Sequence, residues 1–197
     1  MMAVLVVFGG YLVGSMPFGY WLVRLAKGED VRRAGSGSIG ASNVWRTYGR
    51  WYGIPVVVLD IAKGFVPAFV GTILVDELTG ALAGGLAMLG HWRPLFLGFQ
   101  KGGKAVATAA GTLLGMATLL GLIAAGLWLT TFLVTRYTSV ASMVVAVALT
   151  FVAVLLGEPW PVIVFAVAAG VAVLLLHRPN FARLRAGTES RFRPRRA

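Results

Sequence analysis

Residues 140–156 and 162–176 form two stretches without a single charge, and no other feature limits the possible folds of this chain as tightly. Runs of about 17–25 apolar residues match a hydrocarbon core of about 30 Å at 1.5 Å rise per residue. Similar runs recur along the chain. Hydrophobic residues make up 58%, charged ones 13%, and the mean hydropathy is +0.81. A soluble domain of 197 residues could not cover that much apolar surface. Only helices or closed barrels satisfy the backbone in lipid, so the expectation is an all-α membrane protein, residues 1–197 forming a single polytopic domain.

The basic residues set the topology. The run over 2–23 has no cation before it, while Arg24 and Lys27 follow. A secretory signal peptide has the reverse order, so this run is expected to be a retained helix with its N-terminus outside. Further spans are expected at 51–75, 79–91, 104–115, 118–134, 138–156 and 160–176. The 30-residue stretch 105–134 decides the count. As one helix it gives six spans and puts Arg136 and the arginine-rich tail outside. Split near Gly115-Met116-Ala117, it gives seven. Segments 24–50, 92–104, 135–137 and 178–197 then all face the cytoplasm, with Asp76, Glu77 and Glu158 outside, and every cation except Lys63 obeys the positive-inside rule. Seven transmembrane helices, a cytoplasmic C-terminus and a bacterial cytoplasmic (inner) membrane location are therefore expected. The third and fourth spans are short, the fourth about 18 Å. Short helices are tolerated where they line a cavity, so a cavity is expected on the cytoplasmic side beside 92–104.

The net charge of +11 raises the question of nucleic acid. The cations, however, cluster between apolar runs and in the tail, as expected for contact with anionic membrane lipids. Nucleic acid is not an expected partner. The absence of cysteine removes disulfide and thiol chemistry, and no metal or other cofactor is expected. Pro17 is expected to kink the first span. Gly10-x-x-x-Gly14, Gly80-x-x-x-Gly84 and Gly111-x-x-x-Gly115 read as sites of close helix packing.

Three polar segments could carry chemistry. Gly35-Ser36-Gly37-Ser38-Ile39-Gly40 matches G-x-G-x-x-G formally, but it follows a membrane helix and not a strand, so it is no dinucleotide fingerprint. Glycines still let backbone N–H groups converge on an anion, and Asn43 and Arg46 follow. Lys101-Gly102-Gly103-Lys104 is not a Walker A loop, yet a lysine beside free N–H groups at a helix start is a good anion seat. Lys104 otherwise opposes the helix dipole. His177 and Asn180 end the last span, where a lone histidine can also simply complement the dipole. Asp60 and Lys63 share a helix face near mid-bilayer, where such charges usually pair. They are expected to form a structural ion pair, with cavity shaping the alternative.

Taken together, Gly14-Ser-Met-Pro-Phe-Gly-Tyr20, Gly35 to Asn43, Leu59-Asp-Ile-Ala-Lys-Gly64, Leu89-Gly-His-Trp-Arg-Pro94, Lys101-Gly-Gly-Lys-Ala-Val-Ala-Thr108, Thr135-Arg-Tyr137 and His177-Arg-Pro-Asn180 resemble the bacterial acyl-phosphate:glycerol-3-phosphate acyltransferase family. They occur in the family's order over nearly the whole chain. The resemblance implies an enzyme that moves a fatty acyl group from acyl phosphate to the 1-hydroxyl of glycerol 3-phosphate, giving lysophosphatidate and phosphate, the first step of bacterial phospholipid synthesis. It implies a site made of Ser36, Arg46, Lys104, His177 and Asn180. Gly35, Gly37, Ser38, Gly40, Asn43, Lys101, Gly102 and Gly103 would hold phosphate. A monomer is expected. Two residues depart from the pattern: Ser38 where the family usually has Asn, and Ala105 where it usually has Gly.

The residues agree in kind with that implication. There is no cysteine nucleophile and no triad, so direct attack of the hydroxyl on the acyl carbon is expected, aided by positioning and charge stabilisation. The general base is His177 or a substrate phosphate oxygen. Thioester-using relatives of this chemistry carry a His-x-x-x-x-Asp pair; here Phe96 lies five residues after His91 and Ala182 five after His177. An anion or lipid transporter is the alternative class. Transport needs access from both faces, often with inverted repeats, and the polar chemistry here lies on one face.

Overall fold

The computed structural model describes residues 1–192. Among these there are no strands, and ten α-helices follow one another. They are α1 (Met2–Gly14), α2 (Phe18–Lys27), α3 (Ala41–Tyr48), α4 (Arg50–Leu74), α5 (Glu77–Trp92), α6 (Val106–Met116), α7 (Thr118–Thr135), α8 (Thr138–Leu155), α9 (Trp160–Leu176) and α10 (Arg178–Arg185). Four helical stretches are long and apolar enough to cross a membrane: Met2–Lys27 taken across its break, Arg50–Leu74, Thr118–Thr135 and Thr138–Leu155. Trp160–Leu176 makes a fifth when joined to Arg178–Arg185, from which it is bent by 52°. α5 and α6 have only 16 and 11 residues.

Without a hydrophobic drive between helices in lipid, close approach through small residues takes over, and the glycine spacings show where. A methyl added at Gly14 would come 2.2 Å from the Ala87 carbonyl, and one at Gly10 2.3 Å from that of Ala83, which places α1 directly against α5. Gly64 meets Thr108 and Gly111 meets Ile61 in the same way, locking α4 to α6. Gly80 and Gly84 extend this packing from α5 toward α4 and α6.

The expected kink at Pro17 is a full break. α1 ends at Gly14, Pro17 precedes the first residue of α2, and the Lys63 ammonium donates to the freed Met16 carbonyl at 3.1 Å. The stretch 105–134 also divides, with Ala117 between α6 and α7 in a non-helical conformation (φ −146°, ψ 77°). Two helices were not foreseen. α3 is amphipathic and buries Asn43 and Val44, and α10 lies within the segment expected to be tail. The last residues of that tail, 193–197, lie outside the described residues.

Candidate functional site

The polar segments meet at one end of a cavity of about 290 Å³. Ser36, Ser38, Gly40, Arg46, Lys104, His177 and Asn180 line its polar end, and Asp60 and His91 form part of the wall. Beyond them the lining turns apolar, with Ala109, Leu113, Ala124, Ala146, Leu149 and Ala166 from α6, α7, α8 and α9. Ala166 lies about 16 Å along α9 from His177 at 1.5 Å per residue, so the cavity is a shaft with a polar end.

The glycine-rich loop is held by one side chain. Asn43 is 3% exposed. It donates to the Ser38 carbonyl at 2.8 Å and to that of Ala34 at 3.1 Å, and accepts from the Ser36 N–H at 2.8 Å. All its good partners are backbone groups of the loop. Asn43 thus organises the loop while lining the cavity with the rest of the set. Gly35 and Gly37 take positive φ (59° and 73°), which glycine alone adopts freely. The Gly37 N–H donates to Ala34, the Gly40 N–H to the Ser38 hydroxyl at 3.2 Å. The exposed Ser36 hydroxyl makes no hydrogen bond among the described residues.

The diglycine turn also differs from expectation. The N–H groups of Gly102 and Gly103 donate to the Trp92 and His91 carbonyls at 2.9 and 3.0 Å, and both residues are buried. They have no N–H left for an anion, and Lys101 is exposed outside the cavity. What the turn delivers is Lys104. Its ammonium donates to the Asn180 amide oxygen. Burial, then the neighbouring charges of Arg183, Arg46 and Lys101, lower its pKa to about 8 against the pull of Glu189. Ala105, next in sequence, sits in the left-handed region (φ 57°, ψ 15°) and is 2% exposed.

Arg46 reaches the cavity from α3, where its Nε donates to the Ser42 carbonyl at 3.2 Å and Nη1 to that of Ser190 at 3.4 Å. Burial lowers its pKa, and Glu189 opposes that shift. His177 is 4% exposed. Its Nδ1 lies 2.8 Å from the Val173 carbonyl; an oxygen there can only accept, so Nδ1 carries the proton and Nε2 the lone pair. Burial, then the nearby Lys104 charge, lowers its pKa to about 4, and the ring is neutral at pH 7.

Sequence reasoning assigned no role to Glu189, which is central. It is 9% exposed. Oε1 accepts from the Ser139 hydroxyl and the Asn180 amide, both at 2.7 Å, and Oε2 accepts from Arg183 Nε at 2.7 Å. Burial pushes its carboxyl up, but the hydrogen bonds from Asn180, Ser139 and Arg183 outweigh that and hold it below the usual range. Glu189 only accepts and Lys104 only donates, so Asn180 between them has one permitted orientation. The available signal was a lone acid in an otherwise basic tail. Asp60 and Lys63 pair at 2.8 Å, each about 2% exposed, with Lys63 turned away from the cavity toward the α1–α2 break. Among the described residues no cluster of His, Cys, Asp and Glu could hold a metal ion.

Residues 4–187 match the family model described as glycerol-3-phosphate acyltransferase. A glycerol-3-phosphate acyltransferase of Synechococcus sp. (strain JA-3-3Ab) is 45% identical over 96% of this chain and 93% of its own. One from Rhodospirillum rubrum is 46% identical over 92% and 87%. Among solved structures, the crystal structure of PlsY, an integral membrane glycerol 3-phosphate acyltransferase in its glycerol 3-phosphate form, superposes with a TM-score of 0.93. It is 38% identical and covers 98% of this chain and 96% of that one. The lysophosphatidic acid form of the same enzyme gives 0.90 at 36% identity, with the same coverage.

Proposed function

The chain belongs to the glycerol-3-phosphate acyltransferase family, and on that premise we propose that it moves a fatty acyl group from acyl phosphate to the 1-hydroxyl of glycerol 3-phosphate, releasing lysophosphatidate and phosphate. One observation carries the reading: a cationic polar end built from Arg46 and Lys104 opens directly into an apolar shaft between α6, α7, α8 and α9. The phosphates of both substrates fit the polar end, and the acyl chain fits the shaft.

The hydroxyl oxygen attacks the acyl carbon, a new C–O ester bond forms, and the C–O bond to phosphate breaks. Charge developing on the acyl oxygen and the departing phosphate is stabilised by Lys104 and Arg46, set in place before reaction. The hydroxyl proton passes to His177 Nε2 or to a phosphate oxygen of the donor; the fixed tautomer of His177 leaves the Nε2 lone pair free to accept it. Ser36, with its uncommitted hydroxyl, orients a substrate phosphate. Glu189 and Asn180 hold Lys104 in register.

The membrane arrangement follows the charges. Seven spans, with the N-terminus outside and the site facing the cytoplasm across the inner membrane, put every cation except Lys63 inside. The short helices α5 and α6 are then tolerated because they wall the cavity.

The test is an assay of the purified protein in detergent with glycerol 3-phosphate and matched acyl donors. Lysophosphatidate should form with acyl phosphate and not with acyl-CoA or acyl-carrier protein. A mixed anhydride is already activated, and its leaving phosphate benefits from the cations in place. Equal or faster turnover with either thioester would refute the donor assignment while leaving the acceptor standing.

A further inference from the structure

Asp60, Lys63 and His91 are all buried, and the reaction just described uses none of them. Lys63 faces away from the cavity: its ammonium ties Asp60 at 2.8 Å to the Met16 carbonyl at 3.1 Å in the α1–α2 break. His91, 3% exposed near the end of α5, places Nδ1 3.5 Å from Asp60 Oδ1, and this nitrogen has no hydrogen-bond partner. The opposite edge of the ring faces Gly103. A methyl built on Gly103 would lie 1.9 Å from Nε2 and within 2.8 Å of Cε1 and Cδ2. Gly103 does not have positive φ, so its lack of a side chain is a matter of space and not of backbone conformation. The carbonyls of His91 and Trp92 meanwhile accept the N–H groups of Gly103 and Gly102. Both the backbone and the ring of residue 91 thus grip the turn that immediately precedes Lys104.

We infer that His91 is a positioning residue: wedged between the Asp60 carboxylate and the Cα of Gly103, its imidazole fixes the turn that presents Lys104 to the site. The ion pair Asp60–Lys63 is the back-stop of the wedge. This gives the buried charges in mid-helix a part in the reaction without touching substrate. Groups in contact share coupling that independent groups lack, and a ring pressed on a glycine makes a sharp case of it.

The inference rests on the proposed acyl transfer for its kinetic readout, and the experiment keeps the two apart. Gly103→Ala, His91→Ala and the double variant are purified in detergent, and each is assayed for melting temperature, kcat and KM for glycerol 3-phosphate. Gly103→Ala should lose stability and kcat/KM together, because its methyl strikes the ring. Adding His91→Ala removes the obstacle and should recover kcat/KM about tenfold or more, with a higher melting temperature than Gly103→Ala alone. Should Gly103→Ala fail to accumulate, recovery of folded protein in the double variant is the same signature. A double variant no better than Gly103→Ala overturns the inference. His91→Ala alone, assayed where it is fully folded, should raise KM for glycerol 3-phosphate through a loosened Lys104; an unchanged KM would reduce the ring to packing and also overturn it. A wild-type protein without acyltransferase activity would sink the functional reading, while the melting-temperature cycle would still decide the wedge.

Discussion

Glu189→Gln removes one charge and no volume, and it tests the alignment of the site more directly than deletion of any cation. The carboxylate accepts three hydrogen bonds at 2.7 Å, from Ser139, Asn180 and Arg183. Hydrogen bonds to a charged group are worth about 1.5–3 kcal/mol each and neutral ones about 0.5–1.5, and an amide has one acceptor oxygen where the carboxylate has two, so the substitution weakens the trio by about 3 kcal/mol. Part of this returns, because a neutral amide is easier to bury than a carboxylate. A residual of about 1–2 kcal/mol corresponds to roughly 5- to 30-fold. The loss should be read out through Asn180: its orientation is dictated by an acceptor on one side and a donor on the other, and an amide at 189 abolishes that distinction. A second effect has a definite sign. Glu189 raises the pKa of Lys104, so without its charge Lys104 loses its proton at lower pH. The experiment measures kcat and KM for glycerol 3-phosphate between pH 6.5 and 9.5 for both proteins, with melting temperature as control. We expect kcat/KM to fall roughly 5- to 30-fold at pH 7.5, and the alkaline rise in KM to begin at lower pH in the variant. Kinetics within twofold of wild type and an unmoved pH profile would show that Glu189 does not govern Lys104.

In the wild-type protein, Lys104 is cationic below about pH 8 and loses its proton above it. The substrate phosphate monoester is already a dianion above about pH 7, so KM for glycerol 3-phosphate should climb through pH 8 as Lys104 loses its proton; a flat profile to pH 9.5 would exclude Lys104 as a phosphate ligand. Lys104→Ala should cost ten- to hundredfold in kcat/KM, from about 1.5–3 kcal/mol per charge-assisted bond, without unfolding the protein. Because the native chain lacks cysteine, single cysteines report topology cleanly: Ser38, Gly98 and Thr188 variants should be labelled only from the cytoplasm and a Glu158 variant only from outside, and outside labelling at 188 would end the seven-span arrangement. Ala105 occupies a left-handed conformation that disfavours side chains by about 1–2 kcal/mol, so Ala105→Gly should melt close to wild type, since relief of strain offsets the lost methyl. Ala105→Val should melt several degrees lower, and equal melting of the two would dismiss the strain.

Most of the helices were legible because each is written in a short-range pattern: apolar length, a proline in 14–20, small residues four apart. Even the division of 105–134 could be read, since the charges on either side left one arrangement that kept Arg136 on the cytoplasmic face. What could not be read depends on three-dimensional meeting of distant segments. Gly102 and Gly103 looked like anion ligands because they precede a helix start beside two lysines; in the fold their N–H groups bond α5, ten and twelve residues back. Asn43 looked like a ligand because it follows the glycine loop, and its amide holds that loop in place. Glu189 was hidden because its three partners come from α8 and α10, at separations that no periodicity links to it. α3 was missed since eight residues at mean polarity carry too weak a signal beside the long apolar runs.

Residues 187–192 fold back over the polar end: Glu189 ties Asn180 to Ser139, Ser190 accepts from Arg46, and Phe192 packs edge-on against Trp45 and Phe132. Chains fold largely in the order they are synthesised, from the N-terminus onward. All ten helices precede this segment, so a nascent chain can insert and pack every one of them and still lack the carboxylate that aligns Lys104. A polypeptide released early, at residue 186, would be a nearly intact helical bundle without the carboxylate that ties Asn180 to Ser139 and Arg183.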